Sequence, residues 1–224
     1  MRGLAIDTAL GLCSVVVFDD QGVIASRQEP MTKGHSERLA GLVRDVVAEA
    51  GQGFGALSRI GVVVGPGSFT GLRVGLAFAL GLGAALDRPV IGLSALDALA
   101  ASAPESARDD RVALIDARRG QVYARFWSGG TATGPAEALS VETAQDRVRA
   151  LAGTPWLIGS GAGLIQDDRV DTGVMALAGP SAEALAHLTR QADPALCPAR
   201  PLYLRAPDAT PPTRLPGQAR TERA

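Results

Sequence analysis

An apolar run, Ile60 to Val64, leads into Gly65-Pro66-Gly67-Ser68-Phe69-Thr70-Gly71-Leu72-Arg73-Val74-Gly75, and the segment beyond holds almost no charge. Strand, glycine turn, helix: this order constrains the fold more than any other stretch of the chain. The layout is that of a phosphate cradle, yet the chemistry departs from both common forms. A Walker loop closes on Gly-Lys-Ser/Thr, whereas Gly71 is followed by Leu72. A dinucleotide fingerprint has its third glycine where Thr70 stands. Pro66 fixes its own φ and the flanking glycines admit dihedrals closed to other residues, so a tight turn is expected. Ser68 or Thr70 is placed to cap a helix from about Gly71 to Leu86, ended by Asp87-Arg88-Pro89.

Arg73 is the only charge in that helix, and Gly71, Gly75, Ala79 and Gly83 recur at every fourth position. A helical glycine costs roughly 1 kcal/mol relative to alanine, so close packing must offset these. Two environments would do so. One is burial within the chain's own domain. The other is burial partly at home and partly against a second chain, where a row of small residues lets two helix backbones approach. About 16 residues fall short of the ~20 that a bilayer needs, so no membrane span is expected. Arg73 in the first turn opposes the helix dipole, which suits a carboxylate partner or plain solvation.

The rest of the composition excludes several chemistries. Net charge is −1, so the chain as a whole is not an electrostatic nucleic-acid binder. Lys33 is the sole lysine and the histidines are His35 and His187, which leaves lysine-based and metal chemistry without recognisable spacing. Cys13 and Cys197 suit reduced thiols better than a disulfide framework. No Gly-x-Ser-x-Gly elbow occurs, since Gly159-Ser160-Gly161 lacks its spacing. Asp7 interrupts the first apolar run, so no signal sequence is expected and the cytoplasm is the expected compartment.

The chain also repeats itself. Leu4-Ala5-Ile6-Asp7, a turn, and Cys13 to Phe18 read as a hairpin, followed by a third strand near Val23 to Gln28. Ala113-Leu114-Ile115-Asp116 aligns with Leu4 to Asp7, Gly120 with Gly11, and Val122 to Trp127 with Cys13 to Phe18. A helix over His35 to Ala50 carries Leu39, Leu42, Val43, Val46 and Val47 on one face. Strands are expected at Val90 to Leu93 and Trp156 to Gly159, and helices starting at Ser94 and over Ser181 to Gln191. The second copy lacks a counterpart of the glycine helix. We therefore expect an α/β chain with a first subdomain over 1–105, a degenerate second over 106–205, and a disordered tail over 206–224.

Antiparallel hairpins with helix-connected strands, duplicated, resemble the actin-like ATPase (ASKHA) fold, here with its second half reduced. In that fold two hairpins face each other across a nucleotide cleft. Asp7, Thr8 and Asp116 stand at the corresponding positions, as a vestigial cofactor site, and Gly11 and Ser14 are further candidate donors to a phosphate. The alternative for both aspartates is that each caps a turn. An ATP-binding phosphotransferase or ATPase is the competing functional class.

Four segments together resemble the TsaB (YeaZ) family, which acts in forming threonylcarbamoyladenosine in tRNA. They are Leu4-Ala5-Ile6-Asp7-Thr8-Ala9 with Cys13-Ser14-Val15, Gly65 to Arg73, Asp116-Ala117-Arg118-Arg119-Gly120-Gln121-Val122-Tyr123, and Pro201-Leu202-Tyr203-Leu204-Arg205. The resemblance implies a cytoplasmic, non-catalytic subunit with no metal and no cofactor of its own, ATP or ADP being held at a subunit interface if at all. It implies a heterodimer with the transferase TsaD, participation of the ATPase TsaE, indirect contact with tRNA, no membrane, and a homodimer when the chain is alone. TsaD holds its metal through a His-x-x-x-His pair; here His35 is followed four residues on by Leu39, so that site does not carry over, nor does the older link to peptidase M22-like glycoproteases. The expected partner-binding face comprises Leu39, Leu42, Gly71, Leu72, Arg73, Gly75, Leu76 and Ala79. A direct tRNA contact would fall to Arg108, Arg111, Arg118, Arg119 and Arg125, for which a solvated, ion-paired surface is the alternative.

Overall fold

The computed structural model describes residues 1–107, 109–151, 153–167 and 171–205, so the expected tail lies outside the described residues. The first half contains β1 (Gly3–Asp7), β2 (Leu12–Phe18), β3 (Val23–Pro30), α1 (His35–Ala50), β4 (Arg59–Gly65), α2 (Phe69–Leu86), β5 (Val90–Ser94) and α3 (Ala95–Ala101). The second contains β6 (Arg111–Arg118), β7 (Gln121–Ser128), β8 (Thr131–Ala132), β9 (Glu137–Ser140), α4 (Val141–Arg149), β10 (Trp156–Ile158), α5 (Ala162–Ile165), β11 (Gly173–Met175) and α6 (Ala182–Gln191).

Local chemistry accounts for the helix starts. Ser68 caps α2 by accepting from the Gly71 N–H at 3.2 Å, Ser94 does the same for α3 through Asp97, and Ser181 for α6 through Ala184. Asp87, left-handed at φ 53°, ends α2.

The two sheets share one strand order. The first runs β3-β2-β1-β4-β5, antiparallel through its hairpins and parallel from β1 to β5. The second runs β8-β7-β6-β10-β11, with β9 also paired to β7. Short β8 and β9 thus share the place that the eight-residue β3 fills in the first sheet. The 18-residue α2 corresponds in order to the four-residue α5.

The residue-level repeat read from the sequence needs one correction. Leu4 and Ile6 of β1 face the outer core with Cys13, Val15 and Val17. Their aligned counterparts Ala113 and Ile115 instead face the core between the sheets, and Val112 and Leu114 point outward with Val122, Ala124 and Phe126. A step of one residue turns every strand side chain to the other face. The ladders carry that step, since Asp7 pairs with Ser14 but Asp116 pairs with Val122.

Three apolar layers result. Helices α1 and α2 cover the outside of the first sheet, α4 and α5 the outside of the second, and α3 and α6 lie between the sheets. The inner helices cross over: α3, from the first half, packs on β6, and α6, from the second, packs on β1 and β2. Arg59 locks this crossing by donating to the carbonyls of Thr189, Arg190 and Ala192 at the end of α6.

Candidate functional site

The turn that follows β1 and the end of strand β6 face one cavity of about 730 Å³, to which the start of α1 and the glycine turn before α2 also contribute. Asp116 and His35 line it, whereas Asp7 and Thr8 do not. Both aspartates close their own turns. Oδ1 of Asp7 accepts from the Ala9 N–H at 2.7 Å, and Oδ1 of Asp116 accepts from the Arg118 N–H at 2.8 Å. Asp116 is further engaged by the Arg118 guanidinium at 3.0 Å.

Asp7 is fully buried and its Oδ2 has no partner. Burial pushes its carboxyl up to about 7, with the Ala9 N–H opposing the shift. Two of the donors expected for a phosphate are also spent. The Thr8 hydroxyl donates to the Gly71 carbonyl at 2.7 Å and the Gly11 N–H donates to the Ala178 carbonyl, while Ser14 Oγ accepts from Gln28. Cys13 is buried with its thiol pushed up to about 11 by desolvation and by nearby Asp7 and Glu29, so it is an unreactive packing residue. His35 is buried, its Nε2 unpartnered, and desolvation lowers its pKa, keeping it neutral. Among the described residues no three His, Cys, Asp or Glu side chains are grouped to hold a metal.

The arginines do not assemble into one patch. Arg125 makes a two-oxygen ion pair with Asp97 at 2.5 and 2.7 Å, and with Arg111 it flanks the Trp127 ring. Arg118 sits at the hairpin tip paired to Asp116, next to Arg119. Arg108 lies outside the described residues.

The expected contact face is corrected by burial. Leu39, Leu42, Gly71, Leu72, Gly75, Leu76 and Ala79 all lie inside the chain. The small residues of α2 face home because its backbone presses on the first sheet. A Cβ at Gly71 would meet the Thr8 carbonyl oxygen at 2.0 Å, one at Gly75 the Thr8 hydroxyl at 2.4 Å, and one at Gly83 the Val90 side chain at 2.3 Å. Of the residues expected there, only Arg73 is exposed.

The opposite face of α2 is uncovered. Phe69, Arg73, Ala77, Leu80 and Ala84 form one stripe at helical spacing. Phe69 is 46% exposed and Leu80 45%. At 18 residues α2 starts two residues before the expected Gly71 and is long and apolar enough to cross a membrane by length and composition only, but its buried side packs on β4 and α1. Sequence reading missed this stripe, although its signal is present: the helix is apolar on every face and only one face can be spent on the sheet.

Comparison with known proteins bears on this geometry. The family model of TsaD, tRNA N6-adenosine threonylcarbamoyltransferase, matches residues 23–162. An uncharacterized protein of Mycobacterium tuberculosis is 36% identical over 212 residues, 93% of each chain. The structure titled YeaZ from Pseudomonas aeruginosa superposes with a TM-score of 0.75 at 30% identity, covering 91% of this chain and 99% of that one. The chain belongs to the TsaB/YeaZ family. The Escherichia coli tRNA threonylcarbamoyladenosine biosynthesis protein TsaB is 39% identical over 124 residues, 55% of this chain and 53% of that protein. The match thus spans about half the length of that relative. The hairpin, α1, the glycine turn and α2 all lie in the half of this TsaB/YeaZ chain that precedes Ala101.

Proposed function

We propose that the chain is a non-catalytic subunit that docks on and activates a TsaD-type threonylcarbamoyltransferase, in forming threonylcarbamoyladenosine at position 37 of tRNA. The uncovered stripe of α2 carries this reading: a soluble chain gains nothing from leaving a nearly uncharged helix face in water unless something covers it. Kinship supports the identity of the partner. The chain matches the family model of that transferase itself, so the partner carries helices of the same kind in the same places. The shell is actin-like, with its second half reduced around the short α5, and works in the cytoplasm with TsaE. Any nucleotide would sit at the junction of subunits.

Co-purification tests this. The untagged chain should co-elute with a tagged TsaD-type protein from the same organism, and elution apart from it at micromolar concentrations would reject the reading. The 730 Å³ cavity favours a second reading, an ATP-binding phosphotransferase. Calorimetric titration with ATP and magnesium separates the two, since only the second predicts micromolar binding by the chain alone.

A further inference from the structure

Residues 198–205 cross from the first sheet to the second as an irregular strap. Its backbone is pinned to the first sheet: the Gly92 N–H donates to the Cys197 carbonyl at 2.9 Å and the Leu202 N–H to the Val64 carbonyl at 2.7 Å. Gly65 admits it, since a Cβ there would lie 2.7 Å from the Leu202 carbonyl oxygen. At the far end Arg205 donates to the Ala117 carbonyl at 3.0 Å and to Oε1 of Gln121 at 3.3 Å, on the hairpin of β6 and β7. Between these anchors Tyr203 stands beside Phe69 with ring centroids 5.5 Å apart. The strap from Leu202 to Arg205 thereby closes one wall of the 730 Å³ cavity.

The enclosed space has two chemical characters. Leu10, Phe69, Ile115, Leu202 and Leu204 give it an apolar body. Among the described residues that line it, the charged side chains are Asp116, Arg118 and Arg205, two guanidiniums against one carboxylate. Arg118 stands at the mouth: its side chain is 84% exposed, while its Nη1 holds Asp116 at 3.0 Å. A guanidinium presents five N–H donors in a planar fork, so that contact leaves donors for a second anion.

A nucleoside triphosphate does not fit this distribution. It would bring several negative charges to the turn after β1, where the Thr8 hydroxyl and the Gly11 N–H are engaged and Leu10 faces the cavity. Charge buried without donors to pair it is strongly unfavourable. One negative charge at the rim and an apolar body inside match the lining, and the volume is that of small-molecule sites, about 300–1,000 Å³. We propose that the cavity binds a small organic acid, an aromatic or aliphatic body bearing one carboxylate, with the carboxylate on Arg118 and the body between the strap and Ile115. This site goes beyond the partner reading and stands without it, because every wall belongs to this chain.

The test is fluorescence titration of the full-length chain with anilinonaphthalene sulfonate, an aromatic monoanion, and with its uncharged counterpart phenylnaphthylamine. The sulfonate should bind at micromolar concentration, one per chain, and the amine about tenfold more weakly. Naphthoate should displace the sulfonate, and naphthamide should not. Arg118→Gln should weaken the sulfonate by about tenfold and leave the amine unchanged. Ala178→Trp, which fills the cavity from an exposed position on its wall, should abolish both, whereas Leu80→Arg on the exposed face of α2 should alter neither. Melting curves show which variants fold, and Arg118→Gln decides the matter if Ala178→Trp does not. Absent sulfonate binding, equal affinity for the two dyes, failure of naphthoate to compete, or binding lost in Leu80→Arg but kept in Ala178→Trp each overturns the proposal. Displacement of the sulfonate by micromolar ATP with magnesium also overturns it and assigns the cavity to nucleotide. Co-purification decides the partner reading separately, whichever result is found.

Discussion

Gly75 lies against Thr8 so closely that a Cβ on it would come within 2.4 Å of the Thr8 hydroxyl oxygen, while that hydroxyl donates to the Gly71 carbonyl one turn earlier. This contact explains why α2 tolerates glycine and which way its small residues point. Gly75→Ala gains helix propensity of about 1 kcal/mol but must displace a buried side chain, at a cost of about 1–3 kcal/mol. We expect net destabilisation of the isolated chain in urea unfolding. Combining it with Thr8→Ala should recover part of the loss, giving a favourable coupling in the double-mutant cycle; strict additivity would contradict the contact.

Gly81, on the uncovered side of the same helix, meets nothing within 4 Å. Gly81→Ala is therefore expected to stabilise the chain by up to about 1 kcal/mol. A loss of stability in the same unfolding assay would show that this face is packed after all.

Asp7 gives the fold a pH dependence whose sign is fixed. Its carboxyl titrates near 7 in the folded chain, against ~3.9 when unfolded. Between those values the folded state holds a proton that the unfolded state has released, so stability falls as pH rises from about 4 to about 7. Above that range the buried charge costs on the order of 4 kcal/mol. Asp7→Asn keeps an oxygen for the Ala9 N–H and removes the titration. It should flatten the urea midpoint against pH and raise it at pH 8, and a wild-type profile that is already flat would contradict the burial argument.

Arg59 ends α6 by donating to three carbonyls across the boundary between the halves. Hydrogen bonds from a charged donor are worth about 1.5–3 kcal/mol. Arg59→Met, which keeps the aliphatic stem, should cost about 2 kcal/mol in unfolding and raise amide exchange at Thr189 and Arg190. Exchange unchanged there would contradict the lock.

Much of this architecture was legible in the sequence because it rests on local rules. The bounds of α1, the Ser94 cap and the hairpin after Asp7 follow from periodicity and capping chemistry, whereas the choice of Ser68 over Thr70 at α2 and the capping role of Ser181 needed the structure. What was not legible depends on partners distant in the chain. The small residues at Gly71, Gly75, Ala79 and Gly83 announce a close approach, but nothing in their spacing says whether the neighbour is Thr8 or another molecule. The strand β6 reads as a copy of β1, yet a single-residue step in its ladder reverses the faces, and a repeat of similar residues conceals such a step. Tyr203 was visible only as part of a family resemblance, because its place beside Phe69 is set by a strap with no periodicity.

The central claim is that contact surface is this chain's function. The most direct measurement is formation of threonylcarbamoyladenosine on tRNA by a purified TsaD-type transferase, with its other components supplied, in the presence and absence of this chain. The account predicts that activity depends on the chain at near-stoichiometric amounts and survives Asp116→Asn. Equal activity without the chain, or activity abolished by Asp116→Asn while binding is intact, would contradict it.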